Sequence, residues 1–187
     1  MKPLTELAHN AIRQHLLPDD VAIDATAGNG YDTGFLAECV GPSGYVYAFD
    51  IQAAAIQMTK ERLQQRGNLN VGLLQHDHAD MISFISAEHQ QRIAAVMFNL
   101  GYLPGGDKGI MTEVDTTLQA IRQSLQLLKA RGMMTIIGYT GHPGGKTETE
   151  AVHQLLLEAE SEITFHIEMP TVAENAPVLF LVCKTCE

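Results

Sequence analysis

Apolar positions along the chain switch repeatedly between helical and strand spacing. Leu4, Leu7, Ala8, Ala11, Ile12 and Leu16 recur at helical intervals, which predicts a helix over residues 4–17 that Pro18-Asp19-Asp20 ends. Residues 21–24 form a short apolar run that reads as a strand. Residues 31–40 then read as a helix with Phe35, Leu36 and Val40 inward, closed by the turn Gly41-Pro42-Ser43-Gly44. A second strand over 45–50 leads to a helix over 52–66, with Gly67 placed to cap it. A third strand covers 70–75, a short helix 79–85 and a fourth strand 93–98. The helix predicted over 112–128 gathers Leu118, Ile121, Leu125 and Leu128 on one face. A fifth strand spans 133–139, a helix 146–160, and two final strands 163–168 and 178–183.

Strands that alternate with helices imply a doubly wound sheet, because parallel neighbours need crossover connections. The last two strands have no helix between them and are free to pair as an antiparallel ribbon. The expected fold is a Rossmann-like α/β domain. It has a mostly parallel seven-stranded sheet with an antiparallel edge strand, and helices on both faces. With 187 residues and no linker, repeat or low-complexity run, one domain over 1–187 is expected.

Composition narrows the function classes. The chain is 45 % hydrophobic and 18 % charged, as soluble globular proteins are. No apolar run approaches the roughly 20 residues of a membrane helix, and the N-terminal residues lack a signal-peptide core. No membrane association and a cytoplasmic location are therefore expected. Three cysteines, Cys39, Cys183 and Cys186, argue against a disulfide framework. Cys183 and Cys186 form a C-x-x-C without a partner pair. The net charge of −10 speaks against strong nonspecific nucleic-acid binding but leaves room for a local basic patch.

Candidate chemistry gathers at the predicted strand ends. Gly28-Asn29-Gly30 follows the first strand, where glycines let the backbone turn sharply and approach a ligand. Asp50 ends the second strand, twenty residues after Gly30, where an acid can accept both hydroxyls of a ribose. Thr33 stands where a dinucleotide fingerprint carries its third glycine. The loop also holds Asp24 and Asp32 and no basic residue, so a pyrophosphate is disfavoured. S-adenosyl-L-methionine carries an ammonium and a sulfonium and no phosphate, so these acids suit it. No P-loop motif is present. After the third strand, Gln75-His76-Asp77-His78 offers polar groups to an adenine. Capping of the following helix or a metal are the other readings of that cluster, and no metal site is expected.

The run Asp24-Ala25-Thr26-Ala27-Gly28-Asn29-Gly30-Tyr31-Asp32-Thr33 resembles the class I methyltransferases. Together with Phe98-Asn99-Leu100-Gly101-Tyr102-Leu103-Pro104-Gly105-Gly106-Asp107-Lys108 and Gly138-Tyr139-Thr140-Gly141-His142-Pro143-Gly144-Gly145, it is similar to one bacterial family. That family was first labelled as rRNA methylases. Its members are linked to methylation of 5-aminomethyl-2-thiouridine at the tRNA wobble position. The resemblance covers nearly the whole chain, and the run from Asn99 is its specific part. Many relatives carry His where this chain has Tyr31, and a double proline where it has Asn175-Ala176-Pro177. The resemblance implies that Gly28, Asn29, Gly30, Asp32 and Thr33 wrap the methionine part of S-adenosyl-L-methionine, with Asp24 and Asn99 beside them. It implies that Asp50, Ile51 and Gln52 hold ribose and adenine and that Asp77 and His78 line the adenine side. The tRNA anticodon region is the implied partner, and a homodimer would widen the surface that meets it.

At the fourth strand end, methyl transfer to an amine requires a nucleophile brought to about 3 Å with its lone pair aimed. Asn99 supplies an amide oxygen to accept an N–H, and the Leu100 carbonyl a second acceptor. Tyr102 offers a flat face to a base, worth roughly 1–3 kcal/mol. Asn99-Leu100-Gly101-Tyr102 resembles the Asn-Pro-Pro-Tyr motif of amino-group methyltransferases, with Leu100-Gly101 in place of the prolines. Asp107 is a candidate proton acceptor or a loop-capping acid. Lys108 is a phosphate contact or a solvated lysine, and His142 a proton relay or a surface histidine. Competing functions are a small-molecule N- or O-methyltransferase, a noncatalytic cofactor- or RNA-binding module, and a dehydrogenase, the last opposed by the missing glycine.

Overall fold

The computed structural model describes residues 2–67, 70–106, 109–169 and 175–186. In chain order the elements are α1 (Leu4–Arg13), β1 (Val21–Asp24), α2 (Tyr31–Val40), β2 (Tyr45–Phe49), α3 (Ala53–Arg66) and β3 (Val71–Leu74). A 3-10 helix (His78–Ser83) precedes β4 (Ile93–Leu100), α4 (Val114–Leu127), β5 (Leu128–Gly138), α5 (Gly145–Glu158), β6 (Ile163–Glu168) and β7 (Val178–Lys184). The strands form one sheet in the order β3-β2-β1-β4-β5-β7-β6. Pairing is parallel from β3 through β5, while β7 runs antiparallel to both β5 and β6. The expected antiparallel ribbon thus closes one side of the sheet, with β7 inside β6.

Alternation along the central strands divides the core between two faces. Ile23, Val96, Phe98 and Leu100 face one layer, where they join Ile121 and Leu125 of α4 and Val152 and Leu156 of α5. Ala22, Ala95 and Met97 face the other, against Leu4, Ala8 and Ile12 of α1 and Phe35, Leu36 and Val40 of α2. β1 is buried along its whole length, so its sequence shows a continuous apolar run rather than a polar-apolar alternation.

Several boundaries differ from expectation, four of them for clear local reasons. α1 ends at Arg13, and Gln14 and His15 close it with tighter bonds to the carbonyls of Ala11 and Ile12. The short helix after β3 is a 3-10 turn, capped by Asp77, whose carboxylate accepts the Ala79 N–H at 2.9 Å. β4 continues through Asn99 and Leu100, which pair with Ile137 and Gly138 of β5. β5 begins at Leu128, and its register to β4 slips between Ile93, opposite Leu128, and Ala95, opposite Met133. Arg131 takes a left-handed φ of 61° within that bulge.

Candidate active site

A cleft of about 650 Å³ opens at the C-terminal ends of the parallel strands, where open α/β sheets carry their ligands. The loop after β1, Asp50 to Gln52 after β2, His76 to His78 after β3, and the end of β4 with the segment beyond it form its walls. Residues 110–113, Thr5 of α1, Thr116 of α4 and Tyr139 complete them. No lysine or arginine among the described residues lines the cleft, whereas Asp32, Asp50, Asp77 and Glu113 do.

Asp50 is fixed by the backbone on both oxygens. The N–H of Gly28 donates to Oδ2 at 2.9 Å, and the N–H of Gln52 donates to Oδ1 at 2.9 Å. Each carboxylate oxygen keeps a further lone pair for a ligand hydroxyl. Gly28 and Gly30 hold left-handed φ values of 51° and 75°. Gly30 turns its back on the cleft: a Cβ there would lie 2.8 Å from the Thr59 Cα of α3. On the adenine side, His78 is buried and its Nδ1 lies 3.0 Å from the Ala25 carbonyl oxygen. A carbonyl only accepts, so Nδ1 carries a proton. His78 Nε2 is buried, makes no hydrogen bond among the described residues and lies 3.9 Å from Asp77 Oδ1.

At the β4 end, the Asn99 N–H donates to Thr26 Oγ1 at 2.7 Å. Its side-chain Nδ2 donates to Asp32 Oδ2. Asp32 Oδ1 in turn lies 2.6 Å from His9 Nε2 of α1. The amide oxygen of Asn99 is buried and left without a partner among the described residues, as is that of Asn29.

Tyr102 lines the cleft and remains 39 % exposed. Its ring meets His142 edge-on, with centroids 6.0 Å apart. His142 itself does not line the cleft. Its Nδ1 lies 3.0 Å from the Pro143 carbonyl oxygen, and its other side packs where a Cβ on Gly145 would fall, 2.7 Å from Nε2. The structure therefore puts His142 behind Tyr102. The Leu100 side chain is buried in the core, and its carbonyl accepts the Tyr139 N–H at 3.3 Å. Asp107 and Lys108 lie outside the described residues.

Asp24 and Thr33 form the layer beneath the loop rather than its surface. Thr33 Oγ1 donates to Asp24 Oδ2 at 2.6 Å, and the Thr26 N–H donates to Oδ1 at 3.1 Å. Burial, then the nearby Asp32 charge, pushes the Asp24 carboxyl up to about 7. Tyr139 is shifted upward too, first by burial and then by Asp32.

Sequence reasoning passed over His9, Thr5 and Tyr139. His9 adjoins the apolar stripe of α1 and is far from every strand end in sequence. Tyr139 is the one with a signal, since it is the last residue of a predicted strand.

The donor set can be tested against an S-adenosyl-L-methionine-like group. Such a group brings ribose hydroxyls, an adenine amino group and an ammonium, all hydrogen-bond donors. Asp50, His78 Nε2 and Asn29 Oδ1 are acceptors, the last two without a hydrogen-bond partner among the described residues. The residues fit this group and suit a pyrophosphate poorly.

The strand order, with β7 antiparallel between β5 and β6, together with this cleft defines the class I methyltransferase fold. A family model described as "Putative rRNA methylase" matches residues 46–183, and the chain belongs to that family. Its fold is shared with a putative rRNA-methylase from Clostridium thermocellum, with 35 % identity, TM-score 0.92 and 98 % of each chain covered. A putative methyltransferase from Streptococcus mutans, solved in complex with SAH, is 34 % identical with TM-score 0.87, covering 98 % of this chain and 99 % of that one. A chloroplastic tRNA (mnm(5)s(2)U34)-methyltransferase of Arabidopsis thaliana is 41 % identical over 160 residues, 81 % of this chain. The match spans 58 % of that relative's length.

Proposed function

We propose that the chain is an S-adenosyl-L-methionine-dependent methyltransferase that methylates the amine of 5-aminomethyl-(2-thio)uridine at the tRNA wobble position. The observation that carries this reading is the fixed amide of Asn99. With Nδ2 committed to Asp32, Oδ1 is the group left to accept an amine N–H. The name of the Arabidopsis relative supports the same substrate class.

Asp50 would hold the ribose hydroxyls, Asp77 and His78 the adenine side, and Asn29 and Asp32 the methionine end. The bound cofactor supplies an electrophilic methyl group on a sulfonium. Asn99 Oδ1 orients the amine by accepting one of its N–H bonds, so that the lone pair is aimed before transfer. Tyr102 offers its exposed ring as a platform for the uracil. Asp32 anchors this arrangement, since both of its oxygens are engaged. Asp107 and Lys108 are proposed to meet the substrate ammonium and a phosphate.

The tRNA anticodon region is the proposed partner, and a second copy of the chain would extend the surface offered to it. Among the described residues no helix is long and apolar enough to cross a membrane. The three cysteines are free, which suits a reducing cytoplasm.

The test is incubation of the protein with isotope-labelled methyl donor and tRNA lacking this methyl, followed by nucleoside mass analysis. The expected result is one added methyl on the wobble nucleoside. A second reading, a small-molecule methyltransferase, is favoured by the acidic cleft. Methylation of small amines with no labelled tRNA, and no salt-dependent tRNA binding, would establish that reading instead.

A further inference from the structure

His9 is a polar residue on a core-packing helix, and two contacts of its own, with a third made by the carboxylate it meets, give it a specific place. Its Nε2 lies 2.6 Å from Asp32 Oδ1. Its ring stacks on Phe35 of α2 with centroids 3.9 Å apart and planes within 4°. The second oxygen of the same carboxylate receives the Asn99 amide. An ionised carboxylate only accepts hydrogen bonds. His9 must therefore present Nε2–H, and Asn99 must turn its NH2 toward Asp32 and its oxygen elsewhere.

We infer that His9 is a positioning residue for methyl transfer: held flat against Phe35, it fixes the Asp32 carboxylate, which in turn fixes which way the Asn99 amide faces. This inference rests on the methyltransferase reading above. Without the His9 donor, Asp32 Oδ1 loses its side-chain partner. The carboxylate is then free to rotate about its side-chain torsion, and the acceptor oxygen of Asn99 is no longer held in one place. This contact joins Asp32 to α1, so α1 contributes to the site through His9 as well as through the cleft-lining Thr5.

Two variants separate hydrogen bonding from packing. His9→Phe keeps an aromatic ring against Phe35 and removes the donor, while His9→Gln keeps an N–H donor and removes the stack. Steady-state kinetics and the side-chain amide resonances of Asn99, assigned by their loss in Asn99→Ala, are measured for both. In His9→Phe, kcat is expected to fall about 10–100-fold with KM for donor and tRNA little changed, the pattern of a misplaced group. The Asn99 amide resonances shift in the same variant. In His9→Gln both return toward wild type. Full activity in His9→Phe, a change confined to KM, unmoved amide resonances, or equal damage in both variants would each overturn the assignment. If His9→Phe does not fold, His9→Leu takes its place in the comparison. Should the wild-type protein methylate no tRNA, the functional reading fails, and the amide resonances still decide whether His9 governs Asn99.

Discussion

The side-chain amide of Asn99 donates to the carboxylate of Asp32, 67 positions earlier in the chain. That one contact converts a symmetric-looking amide into a directed acceptor. Asn99→Ala removes the acceptor, and Asn99→Asp sets a second carboxylate against Asp32. In both, methyl transfer should fall by about 100-fold or more, while binding of the demethylated cofactor product, measured by calorimetry, stays within a few-fold. Undiminished turnover would take Asn99 out of the chemistry.

Asp50 joins two loops through its backbone donors and is the acceptor assigned to the ribose. Asp50→Ala loses those hydroxyl contacts and frees the Gly28 N–H. Hydrogen bonds to charged groups are worth about 1.5–3 kcal/mol each, so cofactor affinity should drop at least about tenfold by calorimetry. Unaltered affinity would remove the ribose assignment.

The buried Asp24 makes stability depend on pH. Its carboxyl is raised from 3.8 to about 7 in the folded chain, so between those values the native state holds a proton that the unfolded state has released. The unfolded chain binds fewer protons there, and stability falls as pH rises from about 4 to about 7. Thermal melts should show this loss in the wild type. Asp24→Asn cannot ionise and keeps an acceptor for the Thr26 N–H, so it should flatten the slope and gain most over wild type at pH 8. Parallel melting curves for the two proteins across this range would contradict the assignment.

Glu148 is buried at the start of α5 and accepts from Thr112 Oγ1 at 2.9 Å and Thr117 Oγ1 at 2.6 Å. The N–H of Thr112 in turn donates to the Gly101 carbonyl. This acid therefore ties the segment beyond β4 to the helix layer. Glu148→Ala leaves two hydroxyls without their acceptor and should cost roughly 1–3 kcal/mol in urea unfolding. It should also lower transfer activity, because Tyr102 lies in the segment it restrains. A variant as stable and active as wild type would show that the segment holds itself.

Gly30 has a second reason to be glycine besides its φ of 75°. The Thr59 backbone fills the space a Cβ would need. Gly30→Ala should destabilise by about 1–3 kcal/mol, read as a lower urea midpoint.

Element order was legible because nearly every strand is an apolar run bounded by turn residues, and the helices show periodic stripes. The end of β4 was not. Asn99 is polar, and a polar residue after six apolar ones looks like the start of a loop. In the fold its backbone N–H and its side-chain NH2 both find acceptors, Thr26 and Asp32, so it stays in the strand. The start of β5 was missed for the opposite reason, since Lys129 to Arg131 lie in a solvent-facing bulge that carries no strand pattern. In the site, Asp50 and the glycine turn were readable from spacing along one βαβ unit. Which acids face the ligand and which lie beneath was not, because Asp24 and Asp32 differ in depth rather than type. His9 had no local signal at all: it reaches the site only when α1 folds across α2.

The position of β7 has a consequence for biosynthesis. It follows every other strand of the sheet in the chain, yet it fills an interior slot between β5 and β6. During translation β6 emerges with no neighbour, and β5 presents an open edge until Val178–Lys184 leaves the ribosome. Unpaired strand edges invite intermolecular pairing. A premature stop before this strand would expose two adhesive edges at once, and the nascent polypeptide would be a client for chaperones until its last strand is inserted.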